Sequence, residues 1–504
     1  MFKVKYIWLL LIFIGLTACS NDDDSGEPIV TLPDLTAGEA NFSNFVTLGN
    51  SLTAGFQDNA LFIASQNNSF PNTLAEKFAL VGGGNFRQPL MNDNFGGIAI
   101  GGQRILQPRL VFGGAGPVPL ESIIGPVTVT TDLAVNNPTG PFNNMGVPGA
   151  KSFHLAAPGY GNIAGVAMGA ANPYFVRMAS SPNSTVIADA VGQNPTFFSL
   201  WIGNNDVLGF ATSGGSGVSQ QGNLNPATYG GNDITDSNVF ASVYSQYIAA
   251  LTANGAKGVV ANIPDVTTIP YFTTVPHNPI PLDANTAAAV NNAYAPYNGG
   301  LLQAEQFGLI SADERAARTI NFTASSRNAV VIVDEDLTNL GGLGLPNFRQ
   351  ATANDLVVLP AASFIGTLAD PNNPLSVNGV AVPLADRWVL TPNEQQLVAT
   401  ATQNFNTTIS NIAQQNNLAL VDANALLTQL SQGGIASGNF ILNASLVTGG
   451  AFSLDGVHPN SRGYALIANE FMKAIDLAYG SNFEASGNLV NVGDFPTNYS
   501  PLLQ

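Results

Sequence analysis

The chain has one cysteine, Cys19, in 504 residues. No intramolecular disulfide can form, and no cysteine-based metal site can be built. Charge is scarce: charged residues make up 10% of the chain, with 16 basic against 33 acidic. A net charge of −17 repels phosphate backbones, which argues against nucleic acid as a partner. There are three histidines, and no His, Asp and Glu cluster has ligand spacing, so neither metal nor other cofactor is expected. No fixed-period repeat is evident. What is plentiful is apolar residues, at 45%, with 52 glycines and 31 prolines. That composition builds a large core with long turn-rich loops and excludes general disorder. The length suits one decorated domain or two to three smaller ones.

The N-terminus reads as a targeting segment. Lys3 and Lys5 precede a short apolar run, Ile7 to Leu16, too short to span a membrane comfortably and flanked like a signal peptide. Leu16-Thr17-Ala18-Cys19 resembles a bacterial lipobox, which implies a signal peptide over 1–18 and lipidation of Cys19. Residues 19–41 begin with an acidic, polar stretch and read as a flexible tether. The stretch also resembles acidic signals that send lipoproteins to the cell surface. The expected location is therefore the bacterial outer membrane, held by a lipid anchor.

From residue 42 onward, apolar runs alternate with helical patterns. Strands are expected over 42–48, 195–202, 257–263 and 418–422, with a short one near 142–147. Helices are expected over 237–254, from the capping box Thr391-Pro392-Asn393-Glu394 onward, and after Asn460. This alternation predicts a parallel sheet of about five strands with helices on both sides, a three-layer α/β/α domain over 42–480. Two excursions interrupt it. Residues 82–140 are rich in Gly, Pro and Asn; residues 266–390 read as an inserted cap or subdomain. Residues 481–504 form a C-terminal tail.

Several polar turns follow apolar runs. Phe45-Val46-Thr47-Leu48 runs into Gly49-Asn50-Ser51-Leu52, which puts Ser51 at the carboxyl end of a strand, where open α/β sheets bind ligands. A serine hydroxyl needs a base, usually a neutral histidine steadied by a carboxylate. His277 sits between two prolines and His154 beside the second turn. His458 follows Asp455 by three residues, close enough in a tight turn for the carboxylate to hold the ring. Gly149 and Asn205 follow two other core segments, where donors for a developing oxyanion can converge.

These elements together resemble the SGNH/GDSL family of serine hydrolases. The resemblance rests on Gly49-Asn50-Ser51-Leu52, Asn144-Met145-Gly146-Val147-Pro148-Gly149, Gly203-Asn204-Asn205-Asp206 and Asp455-Gly456-Val457-His458, in the family's order. It covers roughly 42–62, 140–265 and 390–480. It implies a flavodoxin-like fold, Ser51 as nucleophile, His458 as base and Asp455 as its partner. The oxyanion hole would comprise the Ser51 and Gly149 N–H groups and the Asn205 side chain. Asn50 stands where the family has Asp. The implied activity is lipase or carboxylesterase hydrolysis of acyl esters. The alternatives are an esterase removing acetyl groups from surface carbohydrate, or a non-catalytic lipoprotein that binds glycan or lipid.

Overall fold

The computed structural model describes residues 32–504. The signal segment, Cys19 and the first part of the tether lie outside the described residues.

Five strands form the central sheet: β1 (Phe45–Gly49), β2 (Asn144–Gly146), β3 (Phe197–Trp201), β4 (Lys257–Ala261) and β5 (Ala419–Val421). All pair in parallel, in the order β5-β4-β3-β1-β2. Every residue of β1 and β3 is buried, which explains their continuous apolar sequence: strands covered on both faces need no polar alternation. The period of two survives as a division between two cores. Phe45, Phe197 and Trp201 join one, while Val46, Leu48, Phe198 and Leu200 join the other.

Helices cover both faces. Among them, in chain order, are α1 (Ser51–Ala54), α2 (Phe70–Ala79), α3 (Asn205–Thr212), α4 (Ser237–Thr252), α5 (Ala284–Gln306), α6 (Pro392–Gln415), α7 (Ala423–Gln432) and α8 (Ser461–Tyr479), with shorter helices between them. On one face α2 and α8 pack Phe70, Leu74, Phe78, Tyr464 and Phe471 against the sheet. On the other, α4 and α6 meet through Phe240 and Phe405, stacked with ring centroids 4.3 Å apart. The capping box read from Thr391 to Glu394 opens α6.

The expected boundaries shift by a few residues. Phe42, expected in the first strand, packs against Phe78 instead, with ring centroids 3.8 Å apart. The 266–390 excursion contains α5 and short antiparallel strand pairs. Its apolar residues, including Val290, Leu301, Val331 and Leu384, belong to the same core as Leu200 and Val260 of the sheet. The C-terminal tail packs back on the body: Tyr499 Oη donates to the Ala64 carbonyl at 3.0 Å, and Arg109 Nη2 donates to that of Ser500 at 2.7 Å. Among the described residues no helix is long and apolar enough to cross a membrane.

One strand pair reads out the register. Phe198 lies opposite Gly258, and its ring fills the place a side chain there would take, coming within 2.5 Å of where a Cβ would sit. Gly258→Ala should therefore overpack the sheet and lower unfolding free energy by about 1–3 kcal/mol. Chemical denaturation checks this, and an unchanged midpoint would contradict the pairing.

Candidate functional site

The sheet order reverses beside β1, whose neighbours are β2 and β3, so the end of β1 is a topological switch point where ligands of such sheets bind. Gly49 pairs with Gly146 on one side and Trp201 on the other. The chains leaving these three strands thus start from one rim. They carry Ser51, Gly149 and Asn205 respectively.

Ser51 is the first residue of α1 and is buried. Asn50, fully buried, caps the helix: its Oδ1 accepts from the Leu52 N–H at 3.0 Å, and its Nδ2 donates to Asn204 Oδ1 at 3.0 Å. The amide found where the resembled family carries Asp thus ties the first turn to the third. An aspartate there would lack that donor.

Asp455 and His458 arrive from the loop before α8. His458 Nε2 lies 2.9 Å from Ser51 Oγ, across 407 positions of sequence, and His458 Nδ1 lies 2.9 Å from Asp455 Oδ2. Asp455 Oδ1 accepts the backbone N–H groups of Val457 and His458 at 2.8 and 2.9 Å. Its Oδ2 also accepts the Asn59 N–H at 2.9 Å. Burial alone would raise the Asp455 carboxyl, but the His458 ring and the backbone N–H groups of His458 and Val457 hold it down at about 2. Asp455 is thus kept ionised beside the imidazole, whose far nitrogen faces the serine hydroxyl. Such a chain can take the hydroxyl proton onto the ring and stabilise the cation that results.

The Asn59 contact has no counterpart in the motifs. Asp58 and Asn59 have positive φ, 52° and 62°, and form a two-residue turn between Gln57 and Ala60. Asp58 accepts from the Leu454 N–H at 3.0 Å and donates its own N–H to Ser453 Oγ at 3.1 Å. The segment after Ser51 therefore grips the loop that bears Asp455. An Asp-Asn pair in a tight turn was the available signal.

The second and third turns supply donors. Gly149 has φ of +81°, which favours glycine, although a Cβ there would meet nothing closer than 3.8 Å. Asn172 holds this turn through Nδ2, 2.8 Å from the Pro148 carbonyl. The N–H groups of Ser51 and Gly149 have no protein acceptor among the described residues. Asn205 Nδ2 donates one hydrogen to the Ala150 carbonyl at 2.9 Å, leaving its second hydrogen free and its orientation fixed. Asp206 is buried and accepts both the N–H and the hydroxyl of Ser152, at 2.8 and 2.6 Å, which joins the second turn to the third.

The other two histidines lie elsewhere. His154 Nδ1 accepts from the Lys151 N–H at 3.0 Å, and burial followed by Lys151 lowers its pKa to about 4. It is a neutral structural ring. His277 is a loop residue of the 266–390 excursion.

Ser51, Asn205 and His458 border a cavity beside the rim. Its walls include Leu52, Trp201, Leu208, Val266, Ile269, Leu427, Leu430 and Phe452. The one polar atom of Trp201 is satisfied by the Asn262 carbonyl at 3.0 Å, so the walls present hydrocarbon.

No protein-family model and no curated protein matches the chain. Among solved structures it is similar to LAE5, an α/β hydrolase enzyme from the metagenome of Lake Arreo, Spain. The match covers 90% of this chain and 98% of that one, at 11% identity and a TM-score of 0.30. A likeness that low carries no argument about the site, whose chemistry rests on its own geometry.

The Asp455 carboxyl falls below its unfolded value of 3.8 to about 2 on folding. Its contribution is therefore fully present above the unfolded value and is lost as pH falls through the folded one. The stability gap between the native chain and Asp455→Asn should be about 2 kcal/mol at neutral pH and close progressively between pH 4 and 2. Denaturant midpoints across that range check it. A gap independent of pH would contradict the assignment.

Proposed function

We propose that the protein is a serine ester hydrolase of the SGNH/GDSL type, cleaving esters of apolar carboxylic acids. The observation that carries this reading is the unbroken hydrogen-bond chain from Asp455 through His458 to Ser51, opening into a hydrocarbon-walled cavity.

On this reading Ser51 Oγ attacks the ester carbonyl while His458 Nε2 takes its proton. Asp455 keeps the ring oriented and balances its charge. The oxyanion is met by the Ser51 and Gly149 N–H groups and by the free Asn205 hydrogen, donors already oriented before reaction. The intermediate collapses, and the alcohol leaves with the proton from His458. Water then attacks the acyl-Ser51 ester, giving its proton to His458, which passes it to Ser51 Oγ as the acyl–oxygen bond breaks and the carboxylic acid is released.

The cavity supports a substrate with a hydrocarbon acyl chain over one bearing acetyl groups on a sugar. An acetyl group would leave most of the apolar wall unfilled, whereas each buried CH₂ contributes about 0.8 kcal/mol. The lipid-anchored N-terminus expected from the sequence would hold this enzyme at the outer membrane, within reach of acyl lipids.

Ser51→Ala should abolish hydrolysis of p-nitrophenyl esters while leaving the melting temperature unchanged within a few degrees. Undiminished turnover would overturn the reading. A native chain that binds acyl chains without ever hydrolysing their esters would instead be a binding lipoprotein. Asn205→Ala should slow turnover by about 10²–10³ with little effect on KM. Across a series of acyl lengths, kcat/KM should rise from acetyl to octanoyl; a maximum at acetyl would favour the carbohydrate acetyl esterase.

A further inference from the structure

A second group of acidic side chains lies away from Ser51, at the seam between the 266–390 excursion and the sheet-bearing body. Glu335 follows the short strand Val331–Val333, Asp386 lies just before α6, and Glu394 is in the first turn of α6. One carboxylate oxygen from each lies within 4.8 Å of the other two. Among the described residues none of the three forms an ion pair with lysine or arginine.

Three converging carboxylates without a cation are not by themselves a site. Glu394 is 5% exposed. Its Oε2 is occupied by the helix cap, accepting the Thr391 N–H at 2.6 Å and the Thr391 hydroxyl at 2.9 Å. Its Oε1 is buried and has no hydrogen-bond partner, and so is Oδ1 of Asp386. A side chain at Gly215, whose φ is +81°, would collide with the Glu394 carboxylate. The loop after α3 is thus shaped to let the carboxylate lie there. Burial foremost, then the neighbouring acids, raises the carboxyls of both Asp386 and Glu394. Concentrated negative charge in a partly dry place calls for a counter-ion or for protons.

We propose that Glu335, Asp386 and Glu394 form a site for a hard divalent cation of the calcium class, which pins the inserted region to the body. The span fits. Oxygens bound to one calcium at about 2.3–2.6 Å can be at most about 5.2 Å apart. The donors are all oxygen, and the partly open side at Glu335 leaves room for the waters that complete six to eight ligands. The site has no part in the ester chemistry. It joins the excursion to α6 beside the loop that ends α3, the helix that Asn205 opens.

The test uses the full chain treated with EDTA and then dialysed, with calcium chloride as the probe. Calorimetric titration should show about one ion per chain. Calcium at about 100 times its dissociation constant should raise the melting temperature by a few degrees. Glu394→Gln keeps a residue suited to the capping box, and Asp386→Asn keeps its size. Each should weaken calcium binding at least tenfold and shrink the thermal shift. Glu335→Gln, at the exposed side, gives a third variant should either of the others fold poorly. No calcium uptake, equal melting temperatures in calcium and chelator, or uptake unaffected by the substitutions would overturn the proposal: the acids would then be sharing protons. Tighter binding of magnesium than calcium would overturn the calcium-class assignment.

Discussion

The parallel register of β1 between β2 and β3 is the constraint on which the rest depends. Gly49 is aligned with Gly146 and Trp201, so three chains leave the sheet at one level and in one direction. A parallel sheet gives every strand the same polarity, and the reversal of strand order beside β1 opens a crevice there. Turns that are ordinary one at a time thereby meet at one rim, with the Ser51 and Gly149 N–H groups and one Asn205 hydrogen unclaimed among the described residues. The two cores on either side, built from alternating residues of the same strands, keep that register from slipping, because a shift by one residue would exchange the faces.

The rim made by three turns is completed by the loop before α8, which brings His458 to Ser51. That loop is held by the chain segment that follows Ser51: Asp58 binds Ser453 and Leu454, and Asn59 binds Asp455. The hydroxyl and the imidazole are thus coupled through backbone as well as through their own hydrogen bond. Residues far apart in sequence meet with little freedom to misalign, which matters when reacting groups must approach within hydrogen-bond distance. Buried side chains brace the turns against one another, through Asn50 with Asn204 and Asp206 with Ser152.

Much of this was legible because it was locally encoded. The buried strands announced themselves as apolar runs such as Phe197 to Trp201, the α6 start as a capping box, and Ser51, Gly149, Asn205, Asp455 and His458 as short patterns at element ends. Illegible were features that exist only after distant segments meet. Asn59 bears on Asp455 only through tertiary packing. Asn172 braces the Gly149 turn from a separate segment. The sequence marks residues 481–504 only as a tail, yet Tyr499 and Ser500 find partners in the body. Glu335, Asp386 and Glu394 have no ligand spacing along the chain, so their convergence was invisible to a search for local metal motifs.

The central claim is that Ser51, activated by His458, is the one nucleophile of this molecule. Reaction of the folded chain with a fluorophosphonate, followed by mass mapping of the peptides, tests it most directly. The account predicts a single adduct on the peptide containing Ser51, which disappears in a folded His458→Ala variant. A folded native chain that stays unlabelled, or carries its adduct on another serine, would contradict it.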